Sequence, residues 1–180
     1  MKTYQISVKI KKPFGNLERQ AHVLIVVRDP KGRYLVGCKP QFYPSGICRL
    51  IGGGIKKGES WQAAAVRELA EELGVEAKKK NFKLLGKVVV EAKAKKRYRL
   101  ETFLCFYQIT SNEITPGGDI REISFISLEG LRELGRKLES LAADDWFIED
   151  GKCLHSWGDY GKVYGPIHEI AYQLMISYGV

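Results

Sequence analysis

Glu68, Glu71 and Glu72 stand at i, i+3 and i+4 in a stretch, Ser60 to Gly74, whose apolar residues Trp61, Ala64, Ala65, Leu69 and Leu73 recur at helical spacing. On a helix these carboxylates lie side by side within about one turn, and like charges at that distance repel. A face that needs only solubility more often mixes Glu with Lys, so the patch calls for a compensating cation. Hard divalent ions fit the oxygen donors, Mg²⁺ above all, because it binds through one or two carboxylates and shares its other positions with water and substrate phosphates. Glu59 or Glu71 is the pairing partner through which Arg67 would hold the patch in shape. The plainer alternative is an amphipathic helix with a solvated acidic face.

Before this helix comes Gly52-Gly53-Gly54, with Gly58 four residues on. Glycines let a backbone approach a ligand closely, so a carbonyl or amide there can reach a metal ion or a phosphate oxygen. The spacing from loop to carboxylates runs Gly53, five residues, Glu59, seven residues, Arg67-Glu68-Leu69, one residue, Glu71-Glu72, one residue, Gly74-Val75. Residues 53–75 thereby resemble the Nudix box, G-x5-E-x7-R-E-U-x-E-E-x-G-U with U aliphatic, at every fixed position.

The resemblance implies a hydrolase that cleaves nucleoside diphosphates linked to another group, using Mg²⁺ or Mn²⁺. It assigns Glu68, Glu71 and Glu72 to the metal together with the Gly53 carbonyl, and Glu59 to orienting Arg67 or holding a further ion. A general base is expected from Asp119, Glu122 or a box glutamate, Asp119 standing six positions before Phe125 on the following strand. The resemblance also implies an α/β fold: an α/β/α sandwich with a mixed β-sheet, the box forming a loop-helix-loop, and a homodimer as one assembly found in such proteins. Relatives often carry an aromatic, a proline and an acidic residue where this chain has Cys48, Ile51 and Lys56, and the downstream proline of ADP-ribose-cleaving relatives is missing. These departures spare the metal ligands and leave the substrate class open.

The elements that must position this motif can be followed along the chain. Tyr4, Ile6, Val8 and Ile10 alternate with polar residues as in a half-buried strand. Ala21 to Val27 is a nearly continuous apolar run, as in a strand buried on both faces, and Asp29-Pro30-Lys31-Gly32 turns it into a strand around Tyr34-Leu35-Val36. Pro40 to Gly46 is a loop whose Phe42 and Tyr43 either stack a nucleobase or cap the core. It leads through Cys48-Arg49-Leu50-Ile51 into the glycine loop. Phe82 to Val90 and Tyr98 to Ile109 predict two long strands joined by a basic turn at 93–97. Arg121 to Leu128 predicts another strand and Glu129 to about Ala142 a helix. Trp146, Phe147, Trp157 and Tyr160 fall in a loop-rich stretch, and Pro166 is expected to open a final amphipathic helix. His155 and His168, without motif partners, are expected at the surface or as caps.

At 180 residues the chain is long enough to bury a core and is expected to form one domain over 1–180. Cys38, Cys48, Cys105 and Cys153 follow no ligand spacing, so reduced, buried thiols are expected. No run approaches membrane-spanning length and no signal segment is evident, which makes a cytoplasmic protein without a membrane partner the expectation. The net charge of +8, with clusters at Lys78-Lys79-Lys80 and Lys93 to Arg99, favours polyanionic partners. A phosphorylated small molecule, in particular a nucleotide held by Phe42, Tyr43, Arg49, Lys56 and Lys57, satisfies that balance. So does RNA, whose 5′ end or cap a pyrophosphohydrolase could remove. A nucleotide-sensing module without turnover is the third reading.

Overall fold

The computed structural model describes residues 1–19, 21–110, 114–143, 145–149 and 153–179. Its centre is β2 (Ala21–Arg28), whose side chains alternate between two cores: Leu24 and Val26 enter one, and Val23, Ile25 and Val27 the other. That alternation requires a covering layer on each face. On one side the layer is helix α2 (Trp61–Leu73), which contributes Ala64, Ala65, Leu69 and Leu73. On the other it is helices α3 (Leu128–Glu139) and α4 (Trp157–Ser177), through Leu131, Leu134, Leu138, Val163, Tyr164, Ile167 and Ala171.

The mixed sheet runs in the order β1 (Thr3–Lys9), β5 (Lys83–Lys93), β6 (Arg97–Gln108), β2, β3 (Tyr34–Cys38) and β4 (Cys48–Leu50). β1 lies parallel to β5 and β6 parallel to β2, while β5–β6 and β2–β3 are antiparallel. Strand β7 (Glu122–Ile126) pairs antiparallel with β3, placing Ser124 opposite Val36, which also faces Leu50 of β4. A short turn of helix, α1 (Gly15–Glu18), precedes β2, and β8 (Trp146–Glu149) and β9 (Cys153–Ser156) form a separate hairpin. No helix among the described residues is long and apolar enough to cross a membrane.

Three expectations are corrected. The last helix begins at Trp157 and carries Pro166 inside it. Ser156 caps its N-terminus, and Gly135, Gly161 and Gly165 let α3 and α4 approach so closely that a Cβ on Gly161 would overlap the Leu138 carbonyl. Close packing thus stabilises a helix that glycine and proline disfavour locally. Cys38 and Cys48 are not reduced thiols: they face each other across β3 and β4, with Cα atoms 4.3 Å apart, and form a disulfide. Cys105 is free and buried, as expected. His155 and His168 are both buried, and His168 ties two elements together: Nδ1 donates to Tyr164 O at 2.7 Å and Nε2 accepts from Leu50 N at 3.2 Å.

Candidate active site

The carboxylates of α2 are positioned by local and tertiary means together. Ser60 accepts a hydrogen bond from Ala63 N at the N-terminus, and Gly74 closes the helix at φ +66° by donating to Ala70 O. The chain that leads into β7 then covers the last carbonyls, with Thr115 N donating to Leu73 O and Gly117 N to Glu72 O, each near 3 Å. That docking brings Asp119 to the same end of the sheet. The glycine loop is pinned from the other side, where Ile25 N donates to Ile51 O and Val23 N to Gly53 O. Gly52 sits at φ +133° with its missing Cβ directed at the Val23 carbonyl, a position that no side chain could share.

Arg67 is the hub between loop and helix. Its Nε and Nη2 each donate to the Glu59 carboxylate at 3.1 Å, Nη2 also reaches Gly54 O at 2.8 Å, and Nη1 pairs with Glu68 and Glu71. The fork holds the Glu59 carboxyl below its ordinary range. Glu72 instead accepts from Gly52 N at 2.8 Å. Burial pushes its carboxyl up to about 7, against the pull of that N–H and of the Arg49 charge, and nearby Glu68 adds to the rise. Burial also raises Glu68, an effect that Arg67 partly offsets.

These residues form one end of a cavity of about 780 Å³. Of the expected site residues, Gly53, Arg67, Glu68, Glu71, Glu72, Asp119, Phe42, Tyr43, Arg49 and Lys56 line it, and Glu59 stands behind Arg67. Asp119, exposed, forms an ion pair with Lys39 at 3.3 Å. Lys57 and Glu122 are not among the lining residues; both are exposed, Glu122 opposite Cys38 at the start of β7. Phe42 and Tyr43 join an aromatic cluster with Phe147, Trp157 and Tyr160, so they wall the cavity and cap the core at once.

Phe14, Arg19, Lys39, Gln41, Phe147 and Tyr160 also line the cavity, and sequence reasoning gave none of them a role. Lys39 and Gln41 carried a faint signal in their nearness to Phe42 and Tyr43. Tyr160 carried none, being delivered by α4 from more than a hundred residues away.

Among the described residues no three His, Cys, Asp or Glu side chains converge on one point. The donor set nevertheless suits a hard divalent cation. Among the described residues nothing donates a hydrogen bond to Glu68 Oε2, Glu71 Oε1 or Glu72 Oε1, their partner oxygens being the ones engaged. Gly53 leaves room for the Glu68 carboxylate, whose Oε1 lies 2.5 Å from where a Cβ would be. The Gly53 carbonyl, bonded to Val23 N, keeps its second lone pair.

The family model for the NUDIX domain matches residues 18–147. A search of curated proteins finds no match. Among solved structures, a C. elegans Ap4A hydrolase binary complex aligns with TM-score 0.52 at 14% identity, over 88% of this chain and 96% of that one. The E. coli dihydroneopterin triphosphate pyrophosphohydrolase aligns with TM-score 0.52 at 15% identity, over 64% of this chain and 85% of that one. A MutT/nudix family protein from Enterococcus faecalis aligns with TM-score 0.48 at 20% identity over 59% of this chain, which spans only 42% of that protein's length. The likenesses to the Ap4A hydrolase and to the dihydroneopterin triphosphate pyrophosphohydrolase establish the fold, and the domain match covers well over half of the sequence. With its box folded as loop, helix and loop beside a mixed sheet, the chain belongs to the Nudix hydrolase family.

Proposed function

We propose that the protein hydrolyses a phosphoanhydride bond in a nucleoside diphosphate derivative or nucleoside triphosphate, with Mg²⁺ as its ion and Mn²⁺ as a substitute. The observation that carries this reading is the pairing of Glu68 and Glu71 with Arg67, with Glu72 on the same lining, at one end of a cavity whose other walls are aromatic and cationic. The solved relatives are described as acting on Ap4A and on dihydroneopterin triphosphate, both of which contain phosphoanhydrides.

Glu68, Glu71, Glu72 and the Gly53 carbonyl would hold the metal, which when bound neutralises phosphate charge and polarises the attacking water. Arg67, fixed by Glu59 and Gly54 O, keeps Glu68 and Glu71 aligned before a cation arrives. Lys56, on the cavity wall, would meet the outer phosphates. Among the candidate proton acceptors, Asp119 is paired with Lys39 and Glu122 stands outside the cavity. A box glutamate is therefore the better candidate.

The test is a Mg²⁺-dependent hydrolysis screen over nucleoside triphosphates, nucleotide sugars, dinucleoside polyphosphates and capped RNA, with Glu71→Gln/Glu72→Gln as the blank. Turnover by the native chain and a loss of about 10²-fold or more in kcat in the blank are expected. Tight nucleotide binding without turnover on the whole panel would instead favour a sensing module.

A further inference from the structure

Of the three arginines that line the cavity, Arg67 and Arg49 are in opposite circumstances. Arg67 touches three carboxylates. Arg49, only 9% exposed, is within ion-pair distance of none among the described residues. Its Nη1 donates to Tyr160 Oη at 3.0 Å and its Nη2 to Gly52 O at 3.3 Å, while the guanidinium lies over the Tyr164 ring, 4.9 Å from its centroid. Tyr160 Oη in turn donates to Tyr43 Oη at 3.3 Å. The cation is thus surrounded by hydroxyls, a carbonyl and a ring face, all neutral.

Burying a guanidinium without a counter-charge is costly, because neutral acceptors recover only part of its lost hydration. A residue retained only to bridge β4 and α4 would do so at lower cost as a neutral side chain. Arg19 also lines the cavity, and Lys39 is paired with the exposed Asp119. Arg49 is the buried cation of this wall, and no carboxylate among the described residues stands within ion-pair distance of it.

We infer that Arg49 is a specificity residue that binds an anionic oxygen of the substrate outside the bond being cleaved. This rests on the proposed hydrolysis for its meaning, but its physical content, an anion on a buried guanidinium, can be measured without turnover. A guanidinium already positioned by Tyr160 and Gly52 O needs little reordering to bind, which favours affinity.

The first experiment follows the melting temperature of the full chain in chelator-containing, low-salt buffer, with inorganic tripolyphosphate as the probe. Native protein and the surface control Lys80→Met are expected to be stabilised by tripolyphosphate, and Arg49→Met to lose that shift. Without ligand, Arg49→Met is expected to melt at or above the native temperature, since an uncompensated charge has been removed. A variant that keeps the native tripolyphosphate shift, or that melts well below native, overturns the inference. Arg49→Lys keeps the charge but not the fork, and provides a second reading if the methionine variant does not accumulate: a diminished shift supports the inference, and a full shift at lower melting temperature marks a structural bridge. If the hydrolysis screen yields a substrate, its KM should rise about 10- to 100-fold in Arg49→Met with kcat little changed. Absence of turnover on the panel would count against the proposed hydrolysis and leave the tripolyphosphate result intact.

Discussion

Helices α2 and α4 meet at the same cavity and are built on opposite principles. α2 agrees with every local rule: a serine cap, alanines and leucines along one stripe, and a glycine at φ +66° to end it. Its chemistry sits on its own sequence, three carboxylates one turn apart. α4 breaks the rules, with three glycines and a proline in its first ten residues. What holds it is contact with α3, and it provides fixed points for residues elsewhere: Tyr160 for Arg49, Tyr164 for His22, His168 for the Leu50 amide. A helix that carries chemistry can be specified locally, whereas one that positions others is specified by what it touches.

The sharpest contrast between the two is in their response to pH. Burial pushes Glu72 on α2 up to about 7 and His168 on α4 down to about 4; His22, bonded to Tyr164, falls to about 3 for the same reason. A carboxyl raised in the folded state binds its proton more readily there than when unfolded. Its stabilisation is present below about pH 4.5 and is lost as pH rises through 7. A depressed imidazole works the other way: its stabilisation is present above about pH 6.5 and is lost as pH falls through 4. Each of Glu72 and His168 contributes about 3 kcal/mol across its window. Between pH 4.5 and 6.5 the Glu72 slope offsets part of the rise with pH that His168 and His22 produce together, so metal-free native protein should lose stability only moderately on acidification there. Urea unfolding of Glu72→Gln should show stability falling more steeply on acidification. In His168→Gln the loss on acidification should be smaller than in native protein. Profiles for the two variants that parallel the native one would show that neither group is buried in this way.

Legibility in the sequence follows the same division. The acidic patch, the glycine loop and the period of Trp61, Ala64, Ala65, Leu69 and Leu73 lie within 25 residues, so the composition of one segment carries their geometry. β2 was equally plain, because a strand buried on both faces must be apolar throughout. The Cys38–Cys48 bond was invisible because it depends on the register of β3 against β4. The start of α4 at Trp157 was missed because Gly158, Gly161 and Gly165 signal a loop when read alone. They are small because α3 and the chain before β8 lie against them, with the Gly161 Cβ position at the Leu138 carbonyl. His168 was misjudged for the same reason, since its partners lie on its own helix and on β4, 118 residues apart in sequence from its side chain. Lys39 and Arg19 reach the cavity by sheet topology, which no local pattern encodes.

Exchanging alanine and glycine breaks the comparison at the level of propensity. Ala70, exposed on α2, has no tertiary work, so Ala70→Gly should cost about 1 kcal/mol by propensity alone. Gly161→Ala on α4 replaces the poorest common helix former with the best and should nevertheless destabilise, by about 1–3 kcal/mol, because the new methyl meets the Leu138 carbonyl and separates α3 from α4. Chemical denaturation checks both. A stabilised Gly161→Ala would mean that the α3–α4 contact yields easily.

The last comparison takes the same residue type at the head of each helix. Ser60 accepts from Ala63 N at 3.2 Å and is exposed, so water can replace its hydroxyl after truncation. Ser60→Ala should cost about 1 kcal/mol, the ordinary value of such a cap. Ser156 is buried; its hydroxyl accepts from Asp159 N at 3.4 Å and donates to Ala143 O at 2.7 Å. Its cap bond is the longer and weaker of the two, so a purely local account would rank Ser156→Ala as the milder change. The second bond reverses that order. Removing the hydroxyl forfeits the bond to the Ala143 carbonyl and leaves the buried Asp159 amide without this partner, which adds about 1–3 kcal/mol of desolvation cost to the lost cap. Ser156→Ala should therefore exceed Ser60→Ala in urea unfolding by a margin larger than the Ser60 effect itself. Equal losses would reduce α4 to a helix capped like any other.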